Sequence, residues 1–240
     1  MKKILGLIPT RLNSSRLPQK ALLKIHGLPL IIHTYRRSLL SKKLSELYIC
    51  CDDKKIFEVA KKYKAKCIMT SKNHSNGTER ITEGFIKLKK QFDLILDIQG
   101  DEPLISPFHI DKVINFHIKN YSSDIILPTL KIRPTNNTNI VKVLKNKKNE
   151  VMYLSRSNVP FEFKKNKKFI YKHLSIISFK PEVLKNFAKS KKSYHESIED
   201  IELLRALDMG MKIKSVNLEG DSFSIDVYDD FKTAQKKMIN

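Results

Sequence analysis

The chain has 240 residues, 41% of them apolar, and a formal charge of +21. That is enough to bury a real core, as one domain or a domain with a lobe. No apolar stretch approaches the ~20 residues of a membrane span, and Lys2-Lys3 precede too short an apolar run for a signal peptide.

The charge invites a nucleic-acid reading. Its make-up argues otherwise, because 38 of the cations are Lys and only eight are Arg. The Lys are scattered, their clusters at 145–148 and 164–168 are short, and no aromatic stripe interleaves with them to stack bases. The three cysteines are odd in number and lack metal spacing. They read as reduced core residues of a cytosolic protein.

In chain order, an apolar run predicts a strand over 3–8. The loop after it, Pro9-Thr10-Arg11-Leu12-Asn13-Ser14-Ser15-Arg16-Leu17-Pro18-Gln19-Lys20, carries three cations. Arg grips phosphate oxygens bidentately and Lys adds a point charge, so the loop reads as a polyphosphate cradle. The plainer alternative is a basic surface loop in a basic protein. It is neither a Walker loop nor a dinucleotide fingerprint, since the required glycines are missing.

Helical patterns at 29–40, 54–63 and 79–91 alternate with strands at 46–51, 66–69 and 93–98. Repeated strand–helix–strand units predict a parallel sheet with helices on both faces. The last of these strands runs into Gln99-Gly100-Asp101-Glu102-Pro103. Ligands of open α/β sheets gather at the carboxyl ends of strands, and two carboxylates there suit a hard divalent cation.

After residue 120 the rhythm changes. Extended runs at 124–131, 139–144, 150–155 and 170–179 predict a β-rich insertion that covers one side of a cleft. Helices at 196–208 and 229–239 close the chain. Glu196, Glu199 and Glu202 share one face of the first of these by their spacing.

The arginine loop, Gly77-Thr78-Glu79-Arg80, Gln99-Gly100-Asp101-Glu102-Pro103, and Ser155-Arg156 followed by Val159-Pro160 occur in this order. Together they resemble the 3-deoxy-manno-octulosonate cytidylyltransferases, the CMP-Kdo synthetases of lipopolysaccharide assembly. Weaker agreement runs through Asn139 to Val143, His173-Leu174, Glu196 to Glu199 and Ile225-Asp226. The resemblance implies a Rossmann-like nucleotide-diphospho-sugar transferase fold of the α/β class, with a mixed, mostly parallel sheet. It implies a single domain over 1–240, with a nucleotide half at about 1–120 and a sugar-binding and dimerisation part at about 121–225.

The implied activity joins CMP from CTP to the anomeric hydroxyl of an acidic 2-keto sugar, with Mg²⁺, in a cytoplasmic homodimer. Arg11, Arg16 and Lys20 would hold the phosphates, with Pro9, Gln99 and Gly77, Thr78 and Arg80 around the nucleotide. Asp101 and Asp226 would bind the metal and, with Arg11 and Lys20, form the catalytic group. Arg156, His173 and Glu199 would line the sugar.

This chain departs from the family pattern at Ser175, Ile177, Ser197, Leu203 and around Asp226. The departures leave the sugar more open than the nucleotide. The alternatives are a nucleotidyltransferase for another surface-polysaccharide sugar and a basic nucleic-acid-binding protein.

Overall fold

The computed structural model describes residues 2–14, 16–164, 168–220 and 222–238. Ser15 of the arginine loop, part of the Lys164 to Lys168 cluster and the predicted helix end at 239 lie outside them. The elements in chain order begin with β1 (Ile4–Pro9), a 3-10 turn (Lys20–Leu22), β2 (Lys24–Ile25), β3 (Leu28–Pro29), α1 (Leu30–Ser38) and β4 (Glu46–Cys51). Next are α2 (Lys54–Lys62), β5 (Cys67–Met69), α3 (Gly77–Leu88), β6 (Leu94–Ile98) and α4 (Pro107–Lys119). Then come β7 (Ile125–Ile132), β8 (Lys142–Lys145), β9 (Val151–Ser155), β10 (Ile170–His173) and β11 (Ile176–Phe179). The chain closes with α5 (Pro181–Lys189), α6 (Tyr194–Glu199), α7 (Leu203–Asp208), β12 (Ile213–Leu218) and α8 (Tyr228–Lys237).

The chain divides into two compact units, Met1–Asp111 with Ser222–Asn240, and Lys112–Asp221. In the first, the strands run parallel in the order β5-β4-β1-β6. β1 and β6 are buried along their whole length, which is why they read as continuous apolar runs rather than alternating ones. From β1 the chain steps outward through β4 to β5, then returns past β1 to β6. The direction of winding therefore reverses between β1 and β6. A crevice at the carboxyl ends of two such strands is the place where open α/β sheets take ligands. The arginine loop leaves β1 there, and the Gln-Gly-Asp-Glu-Pro segment leaves β6 there.

α8 returns the chain's end to this unit by burying Phe231 and Ala234, with Ile225, against Leu17, Ile25 and Leu30. Burial of the larger of these, such as Phe231 and Ile225, is worth about 1.5–3 kcal/mol each.

The second unit is mixed: β7 pairs antiparallel with β10 and β11 and parallel with β12, and β8 pairs antiparallel with β10 and β9. The mixed α/β architecture is the expected one, with the antiparallel pairs of the large sheet confined to this later part and a small β2-β3 hairpin in the first unit. Its local details depart from the sequence reading. The single run at 170–179 is two strands, β10 and β11, broken at Leu174-Ser175. The single helix at 196–208 is two, because Asp200 adopts a left-handed backbone (φ 51°) that ends α6. Glu202 therefore does not share a helix with Glu196 and Glu199. α4, α5 and β12 were not anticipated.

Candidate active site

The segments after β1 and β6 and the start of α3 meet through close contacts that leave little room for a side chain at Gly77 or Gly100. Gly77 approaches Pro9 and Gln99 so closely that a Cβ on it would lie 3.2 Å from Pro9 Cγ and 3.6 Å from Gln99 Nε2. A Cβ on Gly100 would lie 3.0 Å from the Pro9 carbonyl oxygen. Three segments far apart in sequence thus share one spot at the ends of β1 and β6.

Gly77-Thr78-Glu79-Arg80 is the first turn of α3, not a free turn. Asn76 caps it, its side-chain oxygen accepting from the Glu79 amide at 2.9 Å, while Glu79 accepts from the Ser75 amide at 3.0 Å. Thr78 is buried at the start of the helix. Arg80 is 3% exposed and donates to Asp52 Oδ2 (3.2 Å), Thr70 Oγ1 (2.8 Å) and the Ser71 carbonyl (3.0 Å). The other Asp52 oxygen accepts from the Leu12 amide at 2.9 Å. Arg80 therefore acts on the arginine loop through Asp52. Sequence reasoning missed Asp52, whose only signal was its position just past the end of β4.

Arg11 is exposed and, with Asn13, Ser14, Pro18 and Gln19, lines a depression of about 490 Å³. Gln19 adopts a left-handed backbone (φ 52°) between buried Leu17 and Lys20. Lys20 then donates to Asp101 Oδ2 at 2.8 Å and to the Ile225 carbonyl at 2.7 Å, and lies 3.6 Å from Asp226 Oδ1. Arg16 donates to the same Asp226 oxygen at 2.9 Å. The Ile225 amide donates to the Asp101 carbonyl at 3.0 Å, and Asp230 accepts from the Asp226 and Val227 amides. These bonds fix Asp226 beside Asp101. Glu102, the other acid of the motif, is 5% exposed and accepts from Ser222 Oγ. The second carboxylate at the site comes from Asp226 instead.

The donor set is all oxygen: two carboxylates and a carbonyl around one point. Such hard donors fit Mg²⁺. Among the described residues, no group of three or more His, Cys, Asp or Glu could hold a metal by itself.

In the second unit, Arg156 and Glu199 form one tight assembly. Glu199 accepts from Ser155 Oγ (2.6 Å) and the Arg156 amide (2.8 Å). The Arg156 guanidinium donates to the carbonyls of Glu199 (2.8 Å), Thr138 (3.1 Å) and Asp200 (3.1 Å). Lys142, 1% exposed, donates to the carbonyls of Asn137 and Arg156, both at 2.7 Å. Glu196 is buried against Arg205, which grips both its oxygens at 2.6 Å and stacks over Phe187. Of the acidic stripe, Glu196 is thus structural. His173 Nε2 is buried with no hydrogen-bond partner among the described residues. Burial, and then the Lys172 charge, push its imidazole down to about 4, so it is neutral at ordinary pH.

Residues 5–213 match the family model described as cytidylyltransferase. The chain is 38% identical, over 96% of both chains, to the 3-deoxy-manno-octulosonate cytidylyltransferase of Thermodesulfovibrio yellowstonii. It is 34% identical, over 97% of both chains, to the 8-amino-3,8-dideoxy-manno-octulosonate cytidylyltransferase of Shewanella baltica. Its fold superposes with a TM-score of 0.93, at 28% identity and 98% coverage of each chain, on a CMP:2-keto-3-deoxy-manno-octonic acid synthetase complexed with CTP.

Proposed function

The chain belongs to the cytidylyltransferase family, and on that premise we propose that it transfers CMP from CTP to the anomeric hydroxyl of 3-deoxy-manno-octulosonate, releasing pyrophosphate. The observation that carries this reading is the meeting of Lys20 with Asp101 and Asp226, drawn from three distant segments. A cationic loop beside two hard-metal ligands is the equipment that attack on a phosphate requires.

In the reaction the sugar hydroxyl oxygen forms a bond to the α-phosphorus and the bond to the β-phosphate oxygen breaks. Little covalent work falls to the protein; positioning and charge supply the catalysis. Arg11, Arg16 and Lys20 neutralise the triphosphate and the departing pyrophosphate. Pro9, Gly77 and Gln99 border the nucleotide, and Arg80 with Thr78 hold that border in shape from within. Mg²⁺, held by Asp101 and Asp226, would screen the phosphate charge and acidify the attacking hydroxyl. On the sugar side the Arg156 guanidinium meets the carboxylate, and His173 and Glu199 face hydroxyls.

The 8-amino analogue is the second reading, favoured by the relatives that carry it in their name. The departures weigh little against the plain octulosonate: Leu203 is buried as a core residue, and Ser197 is exposed with its hydroxyl bonded to the Ser193 carbonyl. We place the enzyme in the cytoplasm as a homodimer feeding surface-polysaccharide synthesis, with the exposed Met152, Phe161 and Phe163 of the second unit as candidates for the dimer surface. Pyrophosphate release with CTP, Mg²⁺ and a panel of 2-keto sugar acids tests the proposal. Release with either octulosonate supports it and ranks the two; release with neither refutes it.

A further inference from the structure

Arg16, Lys20, Asp101 and Asp226 form a closed group of two cations and two anions. At its centre the Lys20 ammonium touches Asp101 Oδ2 and the Ile225 carbonyl and lies within reach of Asp226 Oδ1. An ammonium at 2.7 and 2.8 Å from oxygens makes the contacts a bound cation would make. Its side chain is 18% exposed, while that of Asp226, shared with Arg16, is 32% exposed. A hard divalent ion brought to these carboxylates meets a resident positive charge a few ångströms away, and like charges at that range repel strongly in a partly buried site.

We propose that Lys20 is the internal counter-ion of the metal site: in the nucleotide-free protein it holds the two carboxylates and keeps divalent ions off, and it gives them up when a triphosphate draws it away. The idea rests on the reading that this site takes a nucleoside triphosphate. The triphosphate supplies the ammonium with new oxygen acceptors, and vacating the carboxylates opens them to the metal. Metal and nucleotide therefore bind as a pair, each raising the affinity of the other by the same factor. The left-handed Gln19, just before Lys20 in the chain, and the cluster that buries Leu17 and Ile225 hold the counter-ion and its acceptors in register. The arrangement gives Lys20 two successive partners. It is first a substitute for the metal and then a phosphate ligand, and it ensures that the metal arrives with the substrate that needs it.

The test is titration of the nucleotide-free protein with Mn²⁺, following free Mn²⁺ by electron paramagnetic resonance. Lys20→Met is expected to bind Mn²⁺ at least about tenfold more tightly than the wild type, as removal of an adjacent charge requires. Lys20→Arg, which keeps the charge, should stay near the wild type. Adding Asp101→Asn to Lys20→Met should abolish the gain, which locates the ion. Equal or weaker binding by Lys20→Met overturns the proposal. Wild-type crystals soaked in Mn²⁺ without nucleotide give an independent readout that needs no variant to fold. No anomalous peak is expected between Asp101 and Asp226, and a peak there with Lys20 still in contact contradicts the idea. Neither arm contains CTP or sugar, so failure here leaves the transfer reading standing, and failure of transfer leaves this result interpretable.

Discussion

The amide of Ile225 donates to the carbonyl of Asp101 across 3.0 Å. This backbone bond ties the segment after β12 to the segment after β6. Ile225 points into the core with Leu17, and its neighbours Asp226 and Arg16 meet outside it. A buried apolar residue beside each partner thus anchors the Arg16–Asp226 pair, while the Ile225–Asp101 backbone bond holds Asp226 next to Asp101.

The first prediction follows from that pairing. Asp101→Asn and Asp226→Asn should each lower kcat by about a hundredfold or more, since each would remove a carboxylate proposed to hold the metal. Melting temperatures should move little, because both side chains are partly exposed. Full activity of either variant at limiting Mg²⁺ would remove that residue from the metal site.

Among the described residues, Arg80 reaches the arginine loop through Asp52. Breaking a buried ion pair from one side costs roughly 3–5 kcal/mol, so Arg80→Met should unfold at markedly lower denaturant. Its KM for CTP should rise as the Leu12 amide loses its fixed acceptor. Asp52→Asn keeps an oxygen for the Leu12 amide and should raise that KM less. Equal KM values for Arg80→Met and the wild type would confine Arg80 to stability.

On the sugar side, Arg156→Ala should raise the KM for the sugar acid far more than that for CTP. The loss of one charge-assisted contact is about 1.5–3 kcal/mol, or roughly ten- to a hundredfold in kcat/KM. Lys142→Met should act in the same direction, because the buried ammonium fixes the Arg156 carbonyl. A rise confined to the KM for CTP would place both residues elsewhere in the reaction.

His173 gives a pH signature. Its imidazole sits at about 4 in the folded chain against 6.5 ordinarily. Between those values the unfolded chain takes up a proton that the folded chain refuses. Its contribution to stability is therefore whole above about pH 6.5 and falls as the pH drops toward 4. Replacing it in His173→Gln should flatten the loss of stability between pH 7 and pH 5 measured by chemical denaturation. An unchanged slope would mean that His173 protonates freely in the folded state.

The first unit was legible because its signals are local. Buried parallel strands read as apolar runs, and β4 fell over the predicted 46–51. Asn76 and Glu79 announce a capped helix start, which would have turned the Gly77 to Arg80 motif into a first turn from sequence alone. The pairings that matter most were not local. Nothing near Arg80 points to Asp52, and nothing near Glu196 points to Arg205, because both are buried ion pairs made by tertiary packing. The break at Asp200 was hidden too: the amphipathic pattern continues across it, and only the backbone shows the left-handed residue.

The most direct measurement is of the product itself. The protein is to be incubated with CTP, Mg²⁺ and 3-deoxy-manno-octulosonate, and the reaction followed by phosphorus nuclear magnetic resonance. The account predicts a new phosphodiester resonance from the CMP-sugar, growing in step with pyrophosphate and absent when either substrate is omitted. Consumption of CTP without a phosphodiester, or the same phosphodiester yield with UTP in place of CTP, would contradict it.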